Sequence, residues 1–231
     1  YYTVTVQIDK ALENALQAKV LLQAIGDHNN LIVTNNLLAR IYGTNKKYDK
    51  ALELHLQNIE LVKDRPSSPS KAGYYFYVAK TYQELLKLEE AEEYYKTALQ
   101  ISEKADYSTG VAIAQGSLGN LYNILENYSE AIKFINLAID FSIEHGQTSN
   151  LAASYFTLSD SYSRLKNYNA AIENNSKAIE IYESIKNYRM LKEAYLGQYQ
   201  YFEKLEQFGN ANKYLKLHYA MADTLFSENK V

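Results

Sequence analysis

Leu118-Gly119-Asn120-Leu121-Tyr122-Asn123-Ile124-Leu125-Glu126-Asn127-Tyr128-Ser129-Glu130-Ala131 is the stretch that decides how this 231-residue chain folds, because its spacing recurs along the whole sequence. Ala131 has counterparts at Ala11, Ala51, Ala91, Ala171 and Ala211. Nine residues before each stands Tyr2, Tyr42, Tyr82, Tyr122, Tyr162 or Phe202, and three before stands Ile8, Tyr48, Leu88, Tyr128, Tyr168 or Phe208. The step is 40 every time, without insertion. If Ala fills about a tenth of positions, five further matches arise by chance with a probability of order 10⁻⁵. The chain is a repeat.

Within each unit the apolar spacing is helical. Ala91, Tyr94, Tyr95, Ala98 and Leu99 share one helix face, as do Leu118, Leu121, Tyr122 and Leu125, so each unit reads as two helices, A then B. Short turns such as Glu126-Asn127 and Lys166-Asn167 join A to B, and Asp49, Ser129 and Asn169 are expected to accept hydrogen bonds from the first free N–H groups of B. Polar breaks at 26–30, 64–70, 106–109, 145–150 and 186–188 separate the units. Two Pro, both in the break at 64–70, and nine Gly are too few for an all-β chain. The expectation is one all-α solenoid over 1–231: a partial unit at 1–29 with helix B only, from about Ile8 to Ala24 after the remnant Tyr1-Tyr2, then full units at 30–69, 70–109, 110–149, 150–189 and 190–231. A chain opening on a remnant reads as a segment of a longer protein.

The columns resemble the tetratricopeptide repeat. The third full unit carries Leu118-Gly119, Tyr122, Tyr128, Ala131 and Ala138; the second carries Tyr75, Ala79, Tyr82, Ala91, Tyr95 and Ala98; the fourth carries Tyr155, Leu158, Ser159, Tyr162, Tyr168, Ala171 and Ala178. The resemblance implies a right-handed α-α superhelix. In it Tyr42, Ala51, Tyr82, Ala91, Gly119, Tyr122, Ala131, Tyr162, Ala171, Phe202 and Ala211 pack the repeats, the small residues letting helices approach and the aromatic rings filling the space above them. A large residue at Ala91 or Ala131 should overpack by about 1–3 kcal/mol. The period of 40 exceeds the family's commoner 34, and Asn58 stands where helix B of the first full unit wants Ala, with Tyr199 and His218 departing similarly in the last.

Composition excludes several chemistries. A formal charge of −3 from 24 basic and 27 acidic residues gives no footprint for nucleic acid. The apolar runs are far shorter than a membrane span, so no membrane contact is expected from this segment. No Cys is present, so there is no disulfide, thiolate metal site or cysteine nucleophile. His28, His55, His145 and His218 stand in different units without metal-ligand spacing, and read as solvated or half-buried side chains. Gly116-Ser117-Leu118-Gly119 lies inside a helix and lacks the Lys of a phosphate loop, so it reads as helix packing. No nucleophile, base and orienter can be assembled; neither enzyme activity nor a cofactor is expected.

What such a stack offers is a groove lined by the A helices. Carrying the family's groove positions onto this sequence selects Asn36 and Arg40, Phe76, Tyr77 and Lys80, Ser117 and Asn120, Phe156, Asp160 and Arg164, and Leu196 and Gln200. One column runs Arg40, Lys80, Asn120, Asp160, Gln200, with aromatic and aliphatic residues interleaved. This mixture suits a protein or extended peptide, and Arg40 with Lys80 favours a carboxylate near the N-terminal end. Arg40 and Phe76 break the pattern of the family's clamp for chaperone tails, so chaperone binding is not expected.

Residues Tyr214–Glu228 resemble the last repeat helix in bacterial sensor kinases and helix-turn-helix regulators. That resemblance implies a sensory or regulatory repeat domain of a bacterial signalling protein, outside the inner membrane, with a transmembrane span after Val231. The alternative is a cytoplasmic signalling-peptide receptor, in which a short peptide rearranges the superhelix and regulates a partner. Incomplete end units leave room for oligomer contacts.

Overall fold

The computed structural model describes residues 2–228, with side chains from 10 to 225; the expectations placed on Tyr1 and Val231 lie outside this range. The described residues form eleven helices and no strand: α1 (Tyr2–Ile25), α2 (His28–Thr44), α3 (Tyr48–Val62), α4 (Pro69–Glu84), α5 (Leu88–Lys104), α6 (Ser108–Ile124), α7 (Tyr128–Glu144), α8 (Thr148–Arg164), α9 (Tyr168–Ser184), α10 (Tyr188–Lys204) and α11 (Phe208–Glu228). Residues up to Gly110 form one compact unit and those from Val111 a second. Inside each unit consecutive helices pack on one another.

The aromatic and aliphatic column Tyr48, Leu88, Tyr128, Tyr168, Phe208 supplies the first residue of every B helix from α3 onward. Capping differs from the sequence expectation. Asp49, Ser129 and Asn169 lie inside the first turns, and the acceptors are residues just outside the helices: Asn127 Oδ1 for the Glu130 N–H (3.4 Å), Asn167 Oδ1 for Ala170 (3.2 Å) and Asn187 Oδ1 for Met190 (3.2 Å). Asp27 and Ser68 cap α2 and α4 in the same way. The reason is turn length. Each helix stops so abruptly that the residue ending one turn is already the cap of the next helix.

What stops it is a left-handed residue at fixed phase. Lys46, Leu86, Glu126, Lys166 and Glu206 follow the A helices at φ of 56–59°, and Gly26, Asp106, Gly146 and Lys186 follow B helices at φ of 49–73°. The next residue then donates back to the carbonyl five residues earlier: Lys47 to Tyr42 (2.8 Å), Lys87 to Tyr82, Asn127 to Tyr122, Asn167 to Tyr162 and Gln207 to Phe202 (each 2.9 Å). This bond satisfies carbonyls that a helix end leaves unpaired. The recurrent aromatic column is thus also the column whose backbone closes the turn. The break at 63–68, which holds Pro66 and leads into Pro69 at the start of α4, has no such left-handed residue.

α1 differs from expectation too. No breaker separates Tyr2 from Ile8, and one helix runs unbroken from Tyr2 to Ile25.

The small column is buried: Ala51, Ala91, Ala131, Ala171 and Ala211 are each at most 2% exposed. Ala11, on α1, is exposed, and no helix among the described residues covers that face. The aromatic column stacks within its own helix pair, Tyr82 on Tyr94, Tyr122 on Phe134 and Phe202 on Tyr214, at ring separations of 5.4–5.6 Å. Such pairs add roughly 0.5–1.5 kcal/mol beyond their buried area. Gly119 has a steric reason: a Cβ there would clash with Ile135 Cγ1 and lie 3.2 Å from the Ala131 carbonyl oxygen.

These constraints predict opposite signs for two substitutions. Gly119→Ala should lower the unfolding free energy by about 1–3 kcal/mol despite its better helix propensity. Leu86→Gly, at a 77% exposed left-handed position, should raise it by about 0.5–1 kcal/mol. Urea unfolding followed by circular dichroism measures both.

Candidate functional site

In the first unit α2, α3 and α4 enclose a cavity of about 590 Å³. Val33, Asn36, Leu37 and Arg40 reach it from α2 at helical spacing, Tyr77, Lys80 and Glu84 from α4, and Tyr48, Ala51 and His55 form its floor from α3. Four of the expected groove residues, Asn36, Arg40, Tyr77 and Lys80, therefore meet in one place. Phe76 does not line it; its ring lies against Tyr95 (5.6 Å) and edge-on to Tyr77. Val33, Leu37 and Tyr77 are exposed at the wall, at 65, 38 and 46%.

Charge around the cavity is asymmetric. Arg40 and Lys80 are exposed and form no ion pair among the described residues. The cavity lining holds one carboxylate, Glu84; desolvation first, and the interaction with Glu84 second, hold the Tyr48 phenol above its ordinary pKa. Asn36 is committed elsewhere through its oxygen, which accepts from Asn58 Nδ2 at 2.8 Å.

Asn58 explains itself here. It replaces Ala in its column and is fully buried, yet it accepts from Asn35 Nδ2 (2.9 Å) and donates to Asn36 and to the Ile32 carbonyl (3.3 Å). A buried amide with partners on both sides is tolerated where an unpaired one is costly. The second unit repeats the device with Asn175, which donates to Gln198 and to the Ala194 carbonyl, both at 2.7 Å.

His55 is the residue that sequence reasoning passed over. Its ring stacks on Tyr77 at 5.5 Å and 18°, its Nδ1 is buried without a partner, and burial pushes its pKa down to about 4. The available signal was its column: Tyr95, Ile135, Asn175 and Leu215 occupy the same position in later units. Of the other histidines, His145 ends α7 and His218 Nδ1 lies 2.8 Å from the Lys192 carbonyl oxygen. Among the described residues no cluster of potential metal ligands occurs.

In the second unit Asn120, Phe156, Asp160 and Gln200 gather with Glu193, Leu196, Gly197 and Tyr201 around a recess of about 270 Å³. Arg164 lies outside its lining and binds Asp160 (Nε–Oδ2 2.8 Å), both side chains being 44% exposed. An exposed i,i+4 pair of this kind contributes about 0.3–0.5 kcal/mol and offsets the Asp160 charge.

The tetratricopeptide repeat family profile matches residues 72–144 and again 152–185. No curated protein matches the chain in sequence. Solved structures similar to it include BtubC (BKLC) from P. vanneervenii, at TM-score 0.80 and 16% identity over 94% of this chain and 92% of that one. A second is a signal-transduction ATPase with numerous domains (STAND) and a tetratricopeptide repeat sensor from Pyrococcus horikoshii, at 0.75 and 22% over 92% of this chain and 33% of that one. A third is a Rap protein complexed with competence and sporulation factor, at 0.72 and 14% over 94% and 66%. The chain is a tetratricopeptide repeat protein, an all-α solenoid of helix pairs. This fold generally serves as a scaffold for binding proteins. No helix among the described residues is long and apolar enough to cross a membrane.

The depressed His55 pKa predicts acid sensitivity. Folded His55 stays neutral down to about pH 4, whereas the unfolded side chain takes up a proton below its ordinary 6.5, so its contribution to stability is complete above 6.5 and falls as pH drops toward 4. Between pH 7 and 4.5 the wild-type chain should lose on the order of 1–2 kcal/mol more than His55→Phe, measured by urea unfolding at both pH values.

Proposed function

We propose that the chain is a non-enzymatic interaction scaffold that binds a protein or an extended peptide, and that it forms the sensory or regulatory repeat region of a bacterial signalling protein. The observation that carries the binding reading is the first unit's cavity, where two exposed cations that form no ion pair among the described residues, Arg40 and Lys80, flank an apolar wall of Val33, Leu37 and Tyr77. A cavity of this size with a few convergent polar groups suits a ligand's side chains, and its charge suits a carboxylate. The recess at Asn120, Phe156, Asp160 and Gln200 is a second, smaller contact. The signalling reading draws on the likeness of fold to the STAND protein with its repeat sensor and on the helix at Tyr214–Glu228.

The groove reading is tested with fluorescein-labelled hexapeptide pools, acetylated and amidated at their ends, with one position held as Glu. Arg40→Ala with Lys80→Ala should bind the best pool at least about tenfold more weakly at unchanged helical circular dichroism. Retained affinity would sink it.

The second reading, a cytoplasmic signalling-peptide receptor that regulates a partner as its helices rearrange, draws on the likeness of fold to the Rap protein in complex with its factor. It requires the radius of gyration from small-angle scattering to change when the selected peptide is added; an unchanged radius counts against it.

A further inference from the structure

At the first unit's cavity one column pair is emptied. One period of 40 further on, Gln83 of α4 and Tyr95 of α5 stand where α2 carries Gly43 and α3 carries His55. The Tyr95 hydroxyl donates to Gln83 Oε1 at 3.1 Å, so a side chain at this place on an A helix reaches toward the B helix of its own pair, and the two together occupy the space between. In the first pair the A-helix partner has no side chain and the B-helix partner is shorter. Gly43 and His55 both line the cavity of about 590 Å³, and a Cβ on Gly43 would meet no atom of a neighbouring element within 4 Å.

The backbone gives Gly43 no reason to be glycine. It lies in the last turn of α2 without a positive φ, and Gln83, Asn123, Ser163 and Glu203 hold the same place in later A helices. Gly119, by contrast, leaves room for Ile135, and Gly26 and Gly146 have a left-handed backbone. Glycine weakens a helix, so at Gly43 the fold accepts a weaker helix end and keeps open space on the stripe that also carries Asn36 and Arg40. The walls of that space are largely apolar: Val33, Leu37 and Tyr77, with the His55 ring stacked on Tyr77. Apolar walls without atoms between them lack packing partners, which a ligand's side chain supplies.

We propose that Gly43 is the specificity-determining position of this cavity: by leaving the column pair open it admits a large apolar side chain, of the size of phenylalanine, from a peptide whose neighbouring residue is acidic and lies at Arg40 and Lys80. This rests on the groove reading given above and adds to it a selection by size, which charge alone does not provide.

Gly43→Gln restores the residue of the next unit and fills the space without adding charge. The probes are fluorescein-labelled hexapeptide pools, acetylated and amidated at their ends, with Glu fixed at one position and either Phe or Ala at the adjacent one, in either order, read by fluorescence anisotropy at pH 7. Wild type should bind the pool with Phe at least about tenfold more tightly than the pool with Ala, and Gly43→Gln should lose that preference while melting at the same temperature or higher. A glycine kept for the backbone would instead give a variant that melts lower, and that result overturns the proposal. An undiminished preference for Phe in Gly43→Gln, or none in wild type, overturns the role of Gly43 and leaves the groove reading standing so long as Arg40→Ala with Lys80→Ala loses affinity. If that double variant binds as wild type does, the groove reading falls and the selection by size falls with it.

Discussion

Close approach of two helices at a small residue is the constraint on which the rest of this protein depends. At Ala51, Ala91, Ala131, Ala171 and Ala211 the side chain is a single methyl and its exposure is at most 2%, so the paired helix lies directly against it. With the separation set there, the ring nine residues earlier finds its partner: Tyr82 meets Tyr94, Tyr122 meets Phe134 and Phe202 meets Tyr214. The turns then keep the register. Except at 63–68, each connection among the described helices has one left-handed residue, followed by a bond back to the carbonyl five residues earlier that ends the preceding helix. Most of these left-handed positions carry Lys, Glu, Leu or Asp rather than Gly, so the chain accepts backbone strain at nearly every turn to hold its phase.

Function enters where the columns depart from their pattern. A buried amide at Asn58 or Gln198 cannot stand alone in a column of Ala or Leu, and each is matched by amides on the facing helix. His55 departs without being matched. It stands on the floor of the first unit's cavity, whose lining includes Arg40, Lys80 and Glu84, and its own Nδ1 is buried without a hydrogen-bond partner among the described residues.

The repeat, the helix pairs and the packing columns were legible in the sequence because a solenoid writes its contacts as a period: every unit solves the same steric problem, and six alanines at a step of 40 state it directly. The expected caps were displaced to the preceding Asn residues because propensity identifies a capping residue type without specifying which of two neighbours stays outside the helix. Of the residues that the groove columns select, Asn36, Arg40, Tyr77 and Lys80 line the first unit's cavity and Asn120, Phe156, Asp160 and Gln200 the second unit's recess. Phe76 lies against Tyr95 and outside that cavity's lining, since neighbours on one helix face divide between the cavity and the interior according to the ring on the next helix.

By itself, then, the sequence determined the all-helical repeat, its period, its two-helix unit and the residues that pack it, because these follow from spacing along one chain. Only tertiary structure decided which polar residues are satisfied and which are left open. Whether Asn58 finds Asn35, whether Asp160 is held by Arg164, and whether the His55 nitrogen has a partner depend on distances between helices that no single helix's pattern contains.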